Sequence, residues 1–274
     1  MKKWEQRRSM LLEELTKQGK LSIGQVQELL HISESTARRM IIELEQDNCL
    51  IRRFGGIQKV EPASPKYSYE ETQDLHAEEK KQIGLYAAEL VESGDVIFLS
   101  GGSTVKYMAL ALSQRLQRRE LTNLSVITNS LVSAEVLSEC TDVIMPGGIY
   151  RQSLQVLDGS LTEKNLRSMC FTKAFLGVVA VNETEGFMTS DIATNSINEV
   201  VLTKASSFYV LADSSKFGKH SFISYAHAKD ASGIITDAKL TPLMHKTMAG
   251  LGARVLISGA GDPDFLHIPA SSHN

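Results

Sequence analysis

The sequence predicts an α/β protein in two parts, a small N-terminal module and a larger domain with a mostly parallel sheet. Two observations carry this prediction. Residues 21–56 read as two short helices followed by a basic hairpin, and from residue 96 onward apolar strand-like runs alternate with helical segments. Alternating strands and helices favour a parallel sheet covered on both faces. A chain of 274 residues is long enough for one small and one medium domain.

The N-terminal segment has the layout of a winged helix-turn-helix, whose second helix enters the major groove of DNA. Apolar spacing predicts a first helix over Ser22–Leu30, with Ser22 as its N-cap. A turn at His31–Ile32 precedes a second helix that begins at Ser33. The inward stripe of that second helix is predicted to be Ala37, Met40, Ile41 and Leu44. Two short strands, at residues 50–53 and 57–60, then flank a Gly-Gly tip.

Charge and side-chain type favour DNA as the partner of this module. Residues 1–60 contain 11 Lys and Arg against 8 Asp and Glu, a net charge of +3, whereas the rest contains 18 against 24, a net charge of −6. Short hydroxyls and arginines near a helix N-terminus suit phosphate and base-edge contacts. A helical hairpin that only packs against another surface would not explain the further arginines on the wing. The predicted DNA-contacting residues are Ser33, Ser35, Thr36, Arg38, Arg39, Arg52, Arg53, Gly55 and Gly56.

A family resemblance rests on these same residues over roughly residues 3–58. The shared positions are an early arginine (Arg7 or Arg8), Gly19, the T-x-R-R of Thr36–Arg39, Arg52 and Gly55-Gly56. On them the segment resembles the DeoR family of bacterial transcriptional regulators. Four positions depart from the family's usual residues: Ala37 stands for Ile, Met40 for Asp, Asn48 for Gly, and Phe54 for His or Tyr. We expect Met40 to alter the target sequence without abolishing DNA binding.

Small polar turns follow successive predicted strands in the larger domain, where parallel sheets bind ligands. They are Gly101–Thr104 after Val96–Leu99, Thr128–Ser130, Gly147-Gly148, and Asp213–Lys216. Glycines let backbone N–H groups approach a ligand, and a helix N-terminus favours an anion. These turns predict a phosphate-competent pocket. Its candidate residues are Ser100, Gly101, Gly102, Ser103, Thr104, Thr128, Asn129, Ser130, Gly147, Gly148, Asp191 and Lys216.

These segments, together with Asp213–Gly218, also look like the effector domain of the DeoR family, itself similar to the ribose-5-phosphate isomerase fold. The resemblance implies a repressor of a sugar or polyol operon that binds a phosphorylated sugar or sugar alcohol and acts as a homo-oligomer, a dimer or tetramer. Many members have Asp at Ser100 and charged residues across Thr194–Asn198. We therefore expect an effector whose sugar moiety differs from that of the family's typical effector. The predicted organisation is a DNA-binding domain over residues 3–58, a linker over 59–75 and an effector domain over 76–260.

Two other classes of function remain as alternatives. An isomerase needs a carboxylate base and an electrophile beside the substrate carbonyl. Its candidates are Asp191, Asp213, Glu183, Glu199 and Lys216. Asp213 and Lys216 also fit a structural ion pair, and Asp191 fits a turn cap. We therefore expect that the protein is not an enzyme. A constitutive DNA-binding protein without effector would not need the polar turns.

Composition adds expectations of absence. Seven histidines and three cysteines show no ligand spacing, so neither a metal nor a cofactor is expected. No apolar run reaches membrane-spanning length and the N-terminus does not read as a signal peptide. These features predict a cytoplasmic protein with no membrane partner and with reduced thiols.

Overall fold

A computed structural model describes residues 2–46, 50–53, 55–59 and 68–259. The chain divides into two compact units, Met1–Pro62 and Ala63–Asn274, and each is described by itself. Residues 60–67 of the predicted linker lie outside the described residues, as do Asn48, Cys49 and Phe54. Among the described helices, none combines the length and the apolar character that crossing a membrane requires.

The first unit contains three helices and a three-stranded antiparallel sheet. Its elements are α1 (Lys2–Gln18), β1 (Lys20–Ser22), α2 (Ile23–Leu30), α3 (Glu34–Gln46), β2 (Leu50–Arg53) and β3 (Gly56–Lys59). The sheet order is β1-β3-β2. Strand β1 was not predicted, because three residues carry no periodic signal of their own. It exists because β3 pairs with it.

Local sequence sets the ends of α2, and apolar packing orients α3. Ser22 Oγ accepts a hydrogen bond from the Gln25 N–H at 3.2 Å, and the Gln25 side chain accepts one from the Ser22 N–H at 2.8 Å. This reciprocal pair satisfies two N–H groups that the helix itself leaves unpaired. His31 ends α2 in the left-handed region, with φ 49°. The predicted inward stripe of α3 is confirmed, since all four of its side chains are at most 2% exposed.

The second unit contains the remaining helices and strands of the described chain. Its first half comprises α4 (Tyr69–Thr72), α5 (Ala77–Glu89), β4 (Val96–Leu99), α6 (Ser103–Gln117), β5 (Ser125–Thr128), α7 (Leu131–Ser138), β6 (Val143–Ile144), β7 (Ile149–Arg151), β8 (Val156–Asp158) and α8 (Ser160–Arg167). Its second half comprises β9 (Phe171–Gly177), β10 (Ala180–Asn182), β11 (Gly186–Thr189), α9 (Ile192–Leu202), β12 (Ala205–Leu211), β13 (Ile223–Ala226), β14 (Gly233–Asp237), α10 (Pro242–Gly250) and β15 (Val255–Ser258).

A seven-stranded sheet in the order β15-β14-β12-β9-β4-β5-β6 organises this unit. Every neighbouring pair in it is parallel, so the predicted mostly parallel sheet is confirmed. Alternate side chains of β4 enter different apolar clusters: Ile97 and Leu99 pack on one face, and Phe98 on the other. Both faces are therefore covered, which explains why the sequence shows continuous apolar runs instead of alternation.

One apolar run that reads as a single strand, Ala174–Val181, is divided between two sheets. Strand β9 ends at Gly177, and β10 begins at Ala180 in an antiparallel sheet with the order β10-β11-β13. A Cβ at Gly177 would lie 2.9 Å from the Gly101 carbonyl oxygen, so the β9 end lies close against the neighbouring turn. The chain passes from one sheet to the other after Gly177 while the apolar pattern continues, so the sequence pattern alone does not reveal the change.

The end of the predicted linker is ordered on the second unit. The Tyr69 N–H donates a hydrogen bond to the Ser153 carbonyl at 2.8 Å, and Lys80 Nζ donates one to the Thr72 carbonyl at 2.5 Å. Tyr69 is 6% exposed. Residues 69–72 therefore form the helix α4 instead of an extension of the linker, because tertiary contacts hold both ends of a polar segment.

A charged network joins the amino-terminal ends of β4 and β9. The Asp95 carboxylate accepts hydrogen bonds from Lys173 Nζ at 2.7 Å, from Thr172 Oγ1 at 2.7 Å and from the Glu92 N–H at 2.9 Å. Burial raises the pKa of Asp95, but these hydrogen bonds lower it by more, so the pKa lies below its ordinary value. A carboxyl group with a lowered pKa in the folded state stabilises the fold wherever it is ionised.

We expect Asp95→Asn to lower the free energy of unfolding by about 2 kcal/mol at pH 7, because Lys173 loses the nearer and more buried of its two carboxylate partners, Asp95 and Glu92. The contribution of Asp95 is present above the unfolded-state pKa of about 4 and is lost as the pH falls through the lower folded-state value. The difference between the two proteins should therefore shrink below about pH 4. Urea denaturation at several pH values measures it. Glu92→Gln is the control, since that side chain is 82% exposed; an equal loss in the control would contradict the prediction.

Candidate functional site

Two of the predicted DNA-contacting arginines are held by carboxylates of their own unit. Arg38 donates to Glu34 Oε1 from Nη2 at 2.7 Å and from Nε at 2.9 Å. Arg52 Nε lies 2.6 Å from Glu45 Oε2, and the Arg52 N–H donates to the same carboxylate. The Arg38 and Arg52 side chains are 59% and 52% exposed. Exposed pairs of this kind contribute little stability, so a phosphate can replace the carboxylate at small cost.

The third arginine, Arg39, has a different contact. Its guanidinium carbon lies 5.9 Å from the centroid of the Trp4 ring, over the ring face. Arg39 is exposed on α3, and Trp4 is half-buried on α1. The Arg53 side chain lies outside the described residues.

The remaining predicted DNA-contacting residues lie at the start of α3 and at the tip of the hairpin. Ser33 Oγ lies 3.0 Å from both Ser35 Oγ and Thr36 Oγ1, so the three hydroxyls form one polar group. Gly55 has φ 82°, a conformation that side chains disfavour. A Cβ at Gly56 would collide with the Leu21 carbonyl oxygen. Both glycines are therefore required by the hairpin itself, apart from any contact with DNA.

A pocket of about 760 Å³, counted out to its open mouth, lies at the carboxyl ends of β4, β5 and β9 in the second unit. Its position agrees with the rule for open α/β sheets. Eight of the twelve predicted ligand residues line it: Ser100, Gly101, Gly102, Ser103, Thr104, Asn129, Asp191 and Lys216.

Two helices begin at this pocket, and only one of them carries a capping side chain. Helix α6 begins at Ser103 after Gly102, which has φ 129° and no side chain. Its first N–H groups therefore face the pocket without an internal cap, and the helix dipole makes that end attractive to an anion. Helix α9 is capped instead, because Asp191 Oδ1 accepts from the Thr194 N–H at 2.8 Å.

Ser100 and Asn129 fix the wall on either side of the α6 N-terminus. Ser100 Oγ accepts from the Gly177 N–H at 2.9 Å and donates to the Gly101 carbonyl at 3.1 Å. Asn129 Nδ2 donates to the Leu157 carbonyl at 3.0 Å. Among the described residues Asn129 Oδ1 is buried without a hydrogen-bond partner. A buried acceptor of this kind is costly unless a ligand or a water satisfies it.

Four predicted ligand residues do not line the pocket. Thr128 Oγ1 donates to the Leu99 carbonyl at 2.6 Å and accepts from the Ser130 N–H at 3.0 Å, joining β4 to β5. Ser130 caps α7. The Gly147 carbonyl accepts from Thr162 Oγ1 at 2.6 Å, and Gly148 packs against the same threonine. The Gly147-Gly148 turn resembles the other glycine-containing and polar turns in sequence, but it packs on α8 instead of opening into the pocket.

Sequence reasoning missed ten lining residues, which come from three regions. They are Leu154 and Val156 of the β7–β8 hairpin, Gly177, Val178 and Val179 after β9, and Thr189, Ser190, Thr194, Ile197 and Asn198 around the start of α9. Only the stretch at residues 194–198 carried a signal, as a place where the resembling family differs. The others reach the pocket through tertiary folding.

Two buried charged residues, Lys80 and Asp213, lie near the pocket residue Lys216. Lys80 is 2% and Asp213 1% exposed. Burial lowers the pKa of Lys80 below its ordinary value, and the Asp213 charge opposes this effect. Asp213 Oδ1 accepts from the Ser215 N–H at 3.1 Å and from Ser215 Oγ. These bonds form the turn that presents Lys216. Within the described ranges, no group of three or more His, Cys, Asp or Glu side chains is arranged for a metal ion.

Comparison with known proteins covers both units. Residues 7–63 match the model of the DeoR-like helix-turn-helix domain, and residues 75–238 match that of the DeoR C-terminal sensor domain. Sequence relatives extend over most of the chain. It is 33% identical to the lactose phosphotransferase system repressor of Lactococcus lactis (85% of this chain, 90% of the relative) and 36% identical to the protein of that name from Streptococcus mutans (85% and 93%).

A further relative and one solved structure complete the comparison. The HTH-type transcriptional repressor GlcR of Bacillus subtilis is 32% identical over 85% of this chain and 88% of its own. Ribose 5-phosphate isomerase A from Methanocaldococcus jannaschii is similar over 50% of this chain and 53% of that chain, with a TM-score of 0.39 and 24% identity.

We expect Gly148→Ala to lower the free energy of unfolding by about 1–3 kcal/mol. Gly148 has φ 130°, and an added Cβ would collide with Thr162 Oγ1 and lie 2.5 Å from the Asp158 carbonyl oxygen. Chemical denaturation measures the loss. The matched control is Gly94→Ala, where φ is also positive at 86° but the space is open. The packing explanation would be contradicted by equal losses at the two positions.

Proposed function

The chain belongs to the DeoR family of transcriptional regulators, and from that premise we propose that it represses a carbohydrate-utilisation operon under the control of a phosphorylated sugar or sugar alcohol. The first unit binds operator DNA through α3 and the β2–β3 wing. The second unit binds the effector at the carboxyl edge of its parallel sheet. Assembly as a homo-oligomer, with paired units on paired half-sites, is part of the proposal.

The observation that carries the effector proposal is the uncapped N-terminus of α6, which opens into the same pocket as Lys216. Backbone N–H groups at a helix start, together with a cation, fit a phosphate. The Asn129 amide and the hydroxyls of Thr189 and Ser190 fit a polyhydroxylated body.

The names of the relatives support the same class of effector. Two of them are repressors of lactose phosphotransferase systems. Their name joins a sugar to phosphoryl transfer, and a sugar phosphate fits the anion site in this pocket. We therefore propose that the sugar moiety contacts the α9 side, at residues 194–198, where this chain differs from many members of the family.

We propose that the pocket binds without catalysing a reaction. A base for enolisation needs a free carboxylate oxygen at the substrate. Asp191 lines the pocket, but its Oδ1 is held in the cap of α9, and Asp213 is 1% exposed and does not line the pocket. Fold similarity to an isomerase does not transfer its chemistry.

Helix α4 is the element we propose to carry the effector signal toward the linker. Its first N–H donates a hydrogen bond to the Ser153 carbonyl in the hairpin loop, next to the pocket residue Leu154. Its last carbonyl accepts a hydrogen bond from Lys80, which lies near Asp213 and Lys216. Residues 60–67, which lead from the DNA-binding unit, precede it directly. A ligand that shifts either contact changes the position of α4, within the limit set by its differential affinity for the two states.

We expect a fluorescence-anisotropy or mobility-shift assay on the upstream region of the protein's own gene to show specific binding. One member of a panel of sugar phosphates should alter it. Lys216→Ala should weaken the response to that effector by about 10- to 100-fold, because a charged hydrogen bond to phosphate is lost, while binding to DNA alone is retained. Lys219→Ala, an exposed lysine three residues away, is the matched control.

Each failure has a separate meaning. Absence of specific binding to any upstream DNA fragment would contradict the proposal that the protein regulates transcription by binding an operator. Specific binding with an unchanged effector response in Lys216→Ala would contradict only the pocket assignment. Turnover of a sugar phosphate by the purified protein would favour the isomerase alternative.

We expect Tyr69→Pro to reduce the effector's influence on DNA binding more than Tyr69→Ala does. Tyr69 is the first residue of α4, where proline fits the helix but provides no N–H. Ser68 already has the extended backbone that precedes proline, with φ −108° and ψ 129°. The two variants both lose the side chain, so their difference isolates the bond to Ser153. Equal coupling in the two, measured as the ratio of DNA affinities with and without effector, would contradict the role of α4.

A further inference from the structure

We propose that Trp4 is a positioning residue for DNA binding, which holds the guanidinium of Arg39 in the orientation that contacts the operator. The inference rests on the proposed function of the first unit. It assigns to α1, which lies outside the helix-turn-helix proper, a direct influence on the recognition helix.

The geometry supplies a fixed platform and a movable cation. Trp4 packs against the apolar core of the first unit, the same core that α2 and α3 share. Arg39 is exposed on α3, and its guanidinium carbon lies 5.9 Å from the centroid of the ring. At that distance a cation over an indole face is attracted by the ring quadrupole. The ring is therefore anchored by packing, and the arginine side chain is held by the ring.

Electrostatics distinguish Arg39 from Arg38 and Arg52, the other two predicted DNA-contacting arginines whose side chains are described. Arg38 and Arg52 already share their charge with Glu34 and Glu45. DNA must displace a carboxylate from each before it gains the full contact. The contact of Arg39 is with a neutral ring, which restrains the side chain without cancelling its charge. Arg39 therefore offers more of its charge to the operator than Arg38 does.

Restraint by the ring also reduces the entropy that binding costs. A free arginine loses much rotamer freedom when it contacts a base edge or a phosphate. A guanidinium held over a ring face makes no conventional hydrogen bond to that ring, so its N–H groups remain available for bidentate contact. The ring thus prepares the donor geometry before DNA arrives.

The test is a set of double-mutant cycles on operator affinity, measured by anisotropy with the full-length chain. Trp4→Leu should weaken operator binding by about two- to fivefold, the range expected for one partly exposed cation–π contact. Trp4→Phe, which keeps an aromatic face, should retain most of the affinity. In an Arg39→Gln background, Trp4→Leu should cause no further loss. In an Arg38→Gln background it should cause its full loss, because Arg38 does not contact the ring.

Two controls separate positioning from stability. Leu12→Ala removes packing against the same core from the same helix, so it should lower stability without changing the coupling to Arg39. Urea denaturation confirms that each variant is folded under the assay conditions. The proposal is overturned if Trp4→Leu weakens binding equally in the Arg38→Gln and Arg39→Gln backgrounds, or if Trp4→Phe is as defective as Trp4→Leu. Absence of operator binding by the wild type would instead overturn the proposed function on which the inference rests.

Discussion

The common direction of the strands in the seven-stranded sheet is the constraint on which the candidate effector site depends. Because every neighbouring pair is parallel, the carboxyl ends of β4, β5 and β9 meet at one edge. Segments separated by tens of residues then share one wall, as Gly101, Asn129 and Val178 do. The same constraint explains the close approach of Gly177 to Gly101, which only glycine permits. A sheet with mixed directions would send these turns to opposite edges and leave no site.

Stability and binding are placed at opposite edges of that sheet. The Asp95–Lys173 pair joins strands at their amino-terminal ends, where its charges compensate each other. At the carboxyl edge the polar groups are less fully paired: Asn129 Oδ1 and Asp213 Oδ2 are buried without a partner among the described residues. Buried groups that are paired favour the fold, whereas those left unpaired lower stability until something binds. The second edge therefore has the energetic character of a site that gains stability from its ligand.

The DNA-binding unit follows a similar logic on an exposed surface. Of its predicted DNA-contacting arginines, Arg38 and Arg52 are partly neutralised by carboxylates, while Arg39 is restrained by a ring. Exposed ion pairs exchange readily with phosphates, which makes binding fast and dependent on salt. A restrained and uncompensated arginine suits a contact that depends on geometry. The proposed DNA interface thus combines adaptable and preorganised contacts on one helix and one wing.

Much of this was readable from the sequence, because the deciding rules are local. The cap at Ser22, the inward stripe of α3, the alternation of strands and helices, and the glycine-rich turn before α6 each depend on residues a few positions apart. Tertiary structure alone decided the rest. It divided Ala174–Val181 between two sheets, turned Gly147-Gly148 toward α8 instead of the pocket, ordered Tyr69–Thr72 as α4, and placed Lys80 beside Asp213. In each case the deciding partner is far away in sequence, and short turns or polar segments of similar composition adopt different roles according to what packs against them.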